Sequence, residues 1–130
     1  MKRLLDTNAY VALKRGHPEV TRQVRGATEL VFSVVVFGEL LFGFRLGTRY
    51  QENFAELNEF LSHPAVTFLP LGPVSADRFS RIATSLRKAG TLLPTNDIWI
   101  AAHTMESGAE LVTLDHHFEK VPGLVVNLLA

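Results

Sequence analysis

The 130-residue sequence contains no cysteine, which excludes a disulfide framework, a thiolate zinc site and a cysteine nucleophile. It has no excess of charge of either sign, because 13 Lys and Arg residues balance 13 Asp and Glu residues. A global positive field for nucleic acid is therefore excluded, although a local basic patch is not. Apolar residues make up 47% of the chain and charged residues 20%, a composition that also excludes a disordered protein.

The chain also lacks an apolar run long enough to cross a membrane. Its most apolar stretch, residues 30–46, contains Glu39 and Arg45 and is shorter than the ~20 residues that a transmembrane helix needs. The first residues reach a carboxylate at Asp6, without the apolar stretch and cleavage site of a signal peptide. We therefore expect a cytoplasmic protein. We also expect a single domain over residues 1–130, which at this length can bury about two-thirds of its surface.

Short strand patterns alternate with amphipathic helix patterns along the chain. The predicted strands are 2–5, 30–34, 66–69, 111–114 and 124–128, and the predicted helices are 7–15, 18–26, 35–46, 50–61, 75–89 and 97–106. This alternation predicts an α/β fold in which a central parallel sheet carries helices on both faces. Ligands of such sheets bind beyond the carboxyl ends of the strands, so we expect the chemistry at that edge.

Four acidic residues stand where they could meet at this edge. Asp6 directly follows the first strand, Asp115 follows the fourth strand, and Asp97 lies in the first turn of the last helix. Each of these three also has an ordinary interpretation as a helix cap, a turn residue or a residue favoured by the helix dipole. Glu39 differs, because it lies in an apolar helix with no basic residue three or four positions away. Burying such a carboxylate is unfavourable unless a cation or several donors compensate.

The four acids together indicate a cation. Four carboxylates at one edge would repel one another and could not all ionise without positive charge. Oxygen ligands without cysteine favour Mg²⁺ or Mn²⁺ over Zn²⁺. Such an ion can bind a phosphate oxygen and generate an attacking hydroxide at neutral pH. The pattern therefore indicates hydrolysis of a phosphodiester.

Four short motifs give the chain a resemblance to a known family. They resemble those of a PIN domain and, more narrowly, of the VapC-type toxins of bacterial and archaeal toxin–antitoxin pairs. The stretch 118–124 is also similar to the end of such toxins, so the resemblance covers nearly the whole chain. In chain order the motifs are 4–8 (LLDTN), 38–40 (GEL), 95–97 (TND) with 100–102 (IAA), and 111–115 (LVTLD).

The resemblance implies a PIN-like fold and a metal-dependent endoribonuclease. Asp6 and Asp97 would be direct ligands of Mg²⁺ or Mn²⁺, while the other two acids would hold waters or a second ion. Supporting polar positions of the family match Asn8, Asn96 and Thr113. The catalytic and metal-binding residues would be an acidic quartet: Asp6, Glu39, Asp97 and Asp115.

The resemblance also implies partners besides the RNA substrate. VapC-type toxins form homodimers, which can assemble further with a small antitoxin whose C-terminal segment blocks the acidic groove. We expect part of the apolar set in the helical hairpin to form the groove for the antitoxin. Replacing Phe44 and Tyr50 with Glu should then weaken antitoxin binding and leave the fold intact. The set comprises Phe37, Leu41, Phe42, Phe44 and Tyr50.

Several weaker signals stay open. His116 and His117 could contact a substrate phosphate or be ordinary exposed turn residues. An RNA path could use basic residues, since arginine binds phosphate in a bidentate manner, although charged helix faces are usually only solvated. The candidates are Arg45, Arg49, Arg78, Arg81, Arg87 and Lys88.

Other functions compete with the ribonuclease. A phosphoacceptor domain would need an acid after the third strand, which ends at Leu69-Pro70, and a phosphatase with Asp-x-Asp would need an acid at Asn8. Both are disfavoured. The remaining alternative is a catalytically silent PIN-fold module that binds RNA or protein.

Overall fold

Five short strands form one fully parallel sheet. In the computed structural model, which describes residues 1–130, their spatial order is β3-β2-β1-β4-β5, with β1 at the centre. Parallel neighbours need a crossover connection, which helices supply here. The predicted parallel sheet is confirmed, although its last strand is shorter than expected. The strands are β1 (Lys2–Leu5), β2 (Glu29–Ser33), β3 (Val66–Leu69), β4 (Glu110–Thr113) and β5 (Val126–Leu128).

Six α-helices connect and cover these strands, and a 3₁₀ helix (His116–Lys120) follows β4. The predicted helices are all present, with ends that shift by one or two residues. None of them combines the length and the apolar character needed to traverse a bilayer. The α-helices are α1 (Thr7–Lys14), α2 (Pro18–Arg25), α3 (Val34–Leu46), α4 (Tyr50–Leu61), α5 (Pro73–Lys88) and α6 (Thr95–Ser107).

Adjacent leucines of β1 belong to different parts of the core. Leu4 is fully buried in a cluster with Ile100 of α6 and Leu111 of β4. Leu5 is buried in another cluster, which includes Val20 of α2. Successive strand residues point to opposite faces, so both faces of the sheet are covered by helices, as the alternation predicts.

Two helices begin directly after a strand through a side-chain cap. Asp6 accepts a hydrogen bond from the Ala9 amide at 2.8 Å and starts α1. Ser33 accepts one from the Val35 amide at 3.0 Å and starts α3. These caps satisfy amide groups that a helix cannot pair internally. They turn the chain into its helices at the carboxyl edge of the sheet.

The start of α6 differs from the sequence prediction. A cap by Thr95 or Asn96 is expected from the sequence, but the N-cap position is Pro94 and no side chain makes a capping bond. The Asn96 side chain instead donates to Glu39 of α3. A tertiary contact therefore replaces the local one.

In the hairpin of α3 and α4, Phe42 is the one exposed member of the apolar set expected to form the antitoxin groove. Phe44 is partly buried against the main core, and Tyr50 is half-buried and stacks on Phe54 at 5.7 Å. Both side chains therefore contribute to packing, and the effect of Glu at Phe44 and Tyr50 on the fold stays a prediction. The side chains that face solvent are Phe42, 66% exposed, and Leu46, 74% exposed.

Candidate active site

Asp6 lies at the bottom of the site, with only 5% of its surface exposed. One carboxylate oxygen accepts from the Ala9 amide, and the other accepts a short hydrogen bond from the Thr113 hydroxyl. Thr113 is the last residue of β4, the neighbour of β1. The Asp6 side chain therefore caps α1 and also lies in the site, so its interpretations as a helix cap and as a site residue are compatible.

Glu39 reaches the same edge from α3. The Thr7 hydroxyl donates to its Oε1 at 2.5 Å, and the Asn96 amide donates to its Oε2 at 3.3 Å. These bonds join α1, α3 and α6 around one carboxylate. Thr7 is a site residue that the sequence analysis missed, since a threonine at the first position of a helix looks like an ordinary helix start. Its only signal was its place beside Asp6.

Asp97 has the fewest hydrogen bonds of the four acids. It is half-buried, and its carboxylate accepts no hydrogen bond. Burial raises the pKa of Asp97 to about 6, and repulsion from Glu39, Asp115 and Asp6 adds to this effect. The carboxyl group of Asp97 therefore gains or loses its proton near pH 6.

Asp115 lies at the rim, in the turn between β4 and the 3₁₀ helix. Its amide donates to the Thr113 hydroxyl at 2.9 Å, so one threonine contacts both Asp6 and the Asp115 backbone. Its Oδ1 accepts from the His117 amide at 2.9 Å and lies 2.7 Å from His117 Nδ1. The bond from the His117 amide holds the pKa of Asp115 below its usual range.

The acidic quartet thus converges at the carboxyl edge of the sheet without a strong counterion. Burial raises the pKa of Asp6, and Asp115 and Glu39 raise it further by repulsion. No Lys or Arg pairs with any of the four acids, and the only ion-pair partner among them is His117 beside Asp115. No three of the four carboxylates bring ligand oxygens within 4.8 Å of one another.

These residues fit a hard divalent cation. The four acids offer carboxylate oxygens, and threonine hydroxyls lie beside two of them, a set that suits Mg²⁺ and Mn²⁺. Burial and repulsion between the acids raise the pKa values of Asp6 and Asp97, and a bound cation would oppose both effects. Asp6, Glu39, Asp97 and Asp115 could hold such an ion, directly or through water.

The supporting residues divide into two groups. Thr113 and Asn96 bond directly to acids of the quartet, whereas the Asn8 side chain is exposed on α1 and makes no hydrogen bond to them. His103 stays outside the site and is fully buried, with its ring nitrogens 2.7 Å from Ser33 Oγ and 3.2 Å from the Pro70 carbonyl oxygen. It links α6 to the start of α3.

None of the basic residues considered for an RNA path forms an ion pair with the quartet. Arg45 lies over the Tyr50 ring, Arg49 pairs with Glu52, and Arg81 pairs with Asp77 of its own helix. A cavity of about 530 Å³ also lies elsewhere, between α2, α4 and the starts of β2 and β3. It contains none of the four acids.

Comparisons with known proteins agree on one family. The model of the PIN domain matches residues 3–124. Ribonuclease VapC2 of Haemophilus influenzae is 34% identical over 127 residues, which cover 95% of each chain. The structure of VapBC2 from Rickettsia felis bound to a promoter DNA fragment superposes with a TM-score of 0.87 at 23% identity, over the whole of both chains.

A second solved structure gives the same result. DNA-bound VapBC from Salmonella typhimurium matches with a TM-score of 0.85 at 25% identity, over 98% of this chain and 97% of that one. The family match spans most of the sequence and includes every acid of the quartet. The chain belongs to the PIN domain family and is similar to the VapC ribonucleases within it.

Proposed function

We propose that this protein is a metal-dependent endoribonuclease and the toxin of a toxin–antitoxin pair. The observation that carries the proposal is the convergence of four carboxylates at one sheet edge with no Lys or Arg to balance them. The name ribonuclease of the Haemophilus influenzae relative, 34% identical, supports an activity on RNA. The VapBC complexes among the structural neighbours support an antitoxin partner.

Asp6 and Asp97 would be the direct ligands of Mg²⁺ or Mn²⁺, and Glu39 and Asp115 would hold bound waters or a second ion. When bound, the cation polarises a phosphate oxygen and lowers the pKa of a water that attacks phosphorus. Without a cation the quartet repels the phosphates of RNA, because no Lys or Arg pairs with any of its acids.

The remaining polar residues hold the acids in place. Thr113 and the Ala9 amide fix both oxygens of Asp6, while Thr7 and Asn96 fix both oxygens of Glu39. Such bonds orient carboxylates before a ligand arrives and reduce the reorganisation that binding requires. Asp97 has no such restraint and can turn toward a cation or release its proton to solvent.

An antitoxin would cover the acidic edge and contact the exposed apolar side chains of α3. Phe42 and Leu46 offer unpartnered apolar surface on that helix. Buried apolar surface is a main source of affinity in such complexes. A homodimer of this chain is part of the same proposal.

The test is cleavage of a total cellular RNA pool by purified, antitoxin-free protein in Mg²⁺, Mn²⁺ and EDTA. We expect discrete fragments in either metal and none in EDTA. Asp6→Asn and Asp97→Asn keep the side-chain shape but remove a charge, so cleavage should fall at least ~100-fold. Asp77→Asn, at an exposed acid on α5, is the matched control. Full activity in either site variant would show that the wrong residues have been assigned.

Absence of cleavage under every condition would reverse the proposal. The protein must be folded and free of antitoxin for this outcome to count, which circular dichroism and mass spectrometry establish. The catalytically silent binding module would then be the better description, and RNA binding without turnover would be its signature.

A further inference from the structure

The turn after β4 carries three possible metal ligands that the proposed ribonuclease chemistry does not use together. Asp115, His116 and His117 each offer one ligand atom, and these atoms lie within 4.8 Å of one another. The two imidazole rings stack with centroids 4.3 Å apart and an interplanar angle of 30°. Both histidines are exposed, so solutes reach them freely.

This set differs in chemistry from the acidic quartet. Imidazole nitrogens favour Zn²⁺, Ni²⁺ and Cu²⁺, whereas Mg²⁺ selects oxygen ligands. Two nitrogens and one carboxylate oxygen, with water in the fourth position, make a common tetrahedral zinc site. Ligand atoms in such a site stand about 3.4 Å apart, as Zn–ligand lengths of ~2.0–2.1 Å require. The present ligand atoms are up to 4.8 Å apart, and exposed side chains on a short turn can adjust these distances by rotation.

We propose that Asp115, His116 and His117 form a second cation site, selective for zinc-class metals. Asp115 belongs to both this site and the quartet, so the two sites compete for one carboxylate. The competition makes zinc an inhibitor of Mg²⁺-dependent cleavage, a consequence that rests on the function proposed above. Occupancy also adds two positive charges beside the quartet, which weakens its attraction for a second cation.

Zinc binding is tested first without RNA. Untagged protein is titrated with Zn²⁺ by isothermal calorimetry in metal-free buffer. We expect one site, with binding at least ~10-fold weaker in His116→Gln and in His117→Gln. His63→Gln, at an exposed histidine in another loop, and Asp97→Asn, at an acid of the quartet only, should both retain wild-type affinity.

The outcomes separate the site from its alternatives. Unchanged affinity in both turn variants overturns the site. Loss of binding in Asp97→Asn overturns it as well, since the ion would then occupy the quartet. These results do not depend on cleavage, so they stand whether or not the ribonuclease proposal survives.

The regulatory consequence is tested on active protein. Zn²⁺ is added to Mg²⁺-dependent cleavage, and each variant's inhibition is expressed relative to its own zinc-free rate. We expect half-inhibition to need at least ~10-fold more Zn²⁺ in His116→Gln than in wild type. Equal sensitivity of the two proteins overturns the competition between sites.

Discussion

Among the single residues of the site, Asp97 differs from the other three acids because no group donates a hydrogen bond to its carboxylate. Asp6 and Glu39 each accept two bonds from different parts of the chain, and Asp115 accepts a bond from the amide of nearby His117. The charge of Asp97 is therefore compensated least, which agrees with its pKa of about 6. Three acids are fixed and one is free to respond to a ligand.

The raised pKa of Asp97 predicts how the metal-free protein responds to pH. The folded state binds this proton more tightly than the unfolded chain, whose carboxyl has a pKa near 3.8. The resulting stability is complete below pH 3.8 and is lost as pH rises through about 6. In EDTA at pH 7.5 we therefore expect Asp97→Asn to be more stable than wild type, by about 1 kcal/mol because the site is partly exposed.

Urea unfolding at pH 7.5 and pH 4 measures this difference, which should shrink at the lower pH. Asp77→Asn, at an exposed acid, should show no comparable gain. A site variant that is less stable than wild type at pH 7.5 would contradict the raised pKa.

Thr113 predicts a second effect at the level of one side chain. It is fully buried, and its hydroxyl donates to Asp6 while accepting from the Asp115 amide. Thr113→Val keeps the shape and removes both bonds, so we expect a loss of about 1–3 kcal/mol in the free energy of unfolding. Affinity for Mn²⁺ should fall as well, because Asp6 loses a restraint. Thr113→Ser restores the hydroxyl and should recover most of both losses in urea titration and calorimetry.

At the level of helices, α3 is the element that joins the site to the surface. Glu39 faces the quartet, while Phe42 and Leu46, on the same helix, remain exposed to solvent. One helix therefore carries a carboxylate of the quartet and the apolar side chains that we propose for the antitoxin. A ligand bound along α3 lies close to the acids.

This arrangement predicts the effect of charge on the outer face of α3. Phe42→Glu should weaken antitoxin binding by at least ~10-fold, because an exposed aromatic anchor is replaced by a charge. Phe42 lies one helical turn from Glu39, so cleavage by the free protein is compared in Phe42→Ala, which adds no charge beside the quartet and should retain it. The measurement is a binding titration with antitoxin beside a cleavage assay. Val74→Glu, at an exposed apolar residue of α5, is the control.

The same elements show what a sequence can and cannot predict. Every strand and helix could be placed, because hydrophobic periodicity is a local property of the chain. The lack of a cation near Glu39 could also be predicted from its apolar neighbours. The hydrogen-bond donors to Glu39 could not be predicted, since Thr7 and Asn96 lie 32 and 57 residues away and meet Glu39 only in the folded protein. The prediction of a side-chain cap for α6 was wrong for the same reason, because Asn96 bonds to Glu39 rather than to its own helix.

On the scale of the whole molecule, a net charge of zero conceals an uneven distribution. Many exposed charges pair within their own helix, as Arg22 does with Glu19 and Arg81 with Asp77, whereas the quartet gathers negative charge without Lys or Arg. The metal-free fold thus contains a local repulsion that a bound cation would relieve. Stability of the entire domain should depend on divalent ions.

We expect Mg²⁺ and Mn²⁺ to raise the melting temperature at pH 7.5, where Asp97 has lost its proton. Saturation to 100 times the dissociation constant stabilises a protein by about 2.7 kcal/mol. The shift should be smaller at pH 5, because Asp97 then holds a proton that the cation must displace. Differential scanning fluorimetry measures both shifts. An equal shift in Asp6→Asn would place the ion outside the quartet.

The bond between Thr113 and Asp6 spans 107 residues and has a consequence for the timing of synthesis. A ribosome that adds about 5–20 residues per second needs roughly 5–20 s to travel from Asp6 to Thr113. During that interval the central strand lacks β4, and the carboxylate of Asp6 lacks its buried partner. On the proposed function, nascent chains arrested before Thr113 should leave RNA intact, and the ribosome would meet no nuclease activity while the chain is still growing.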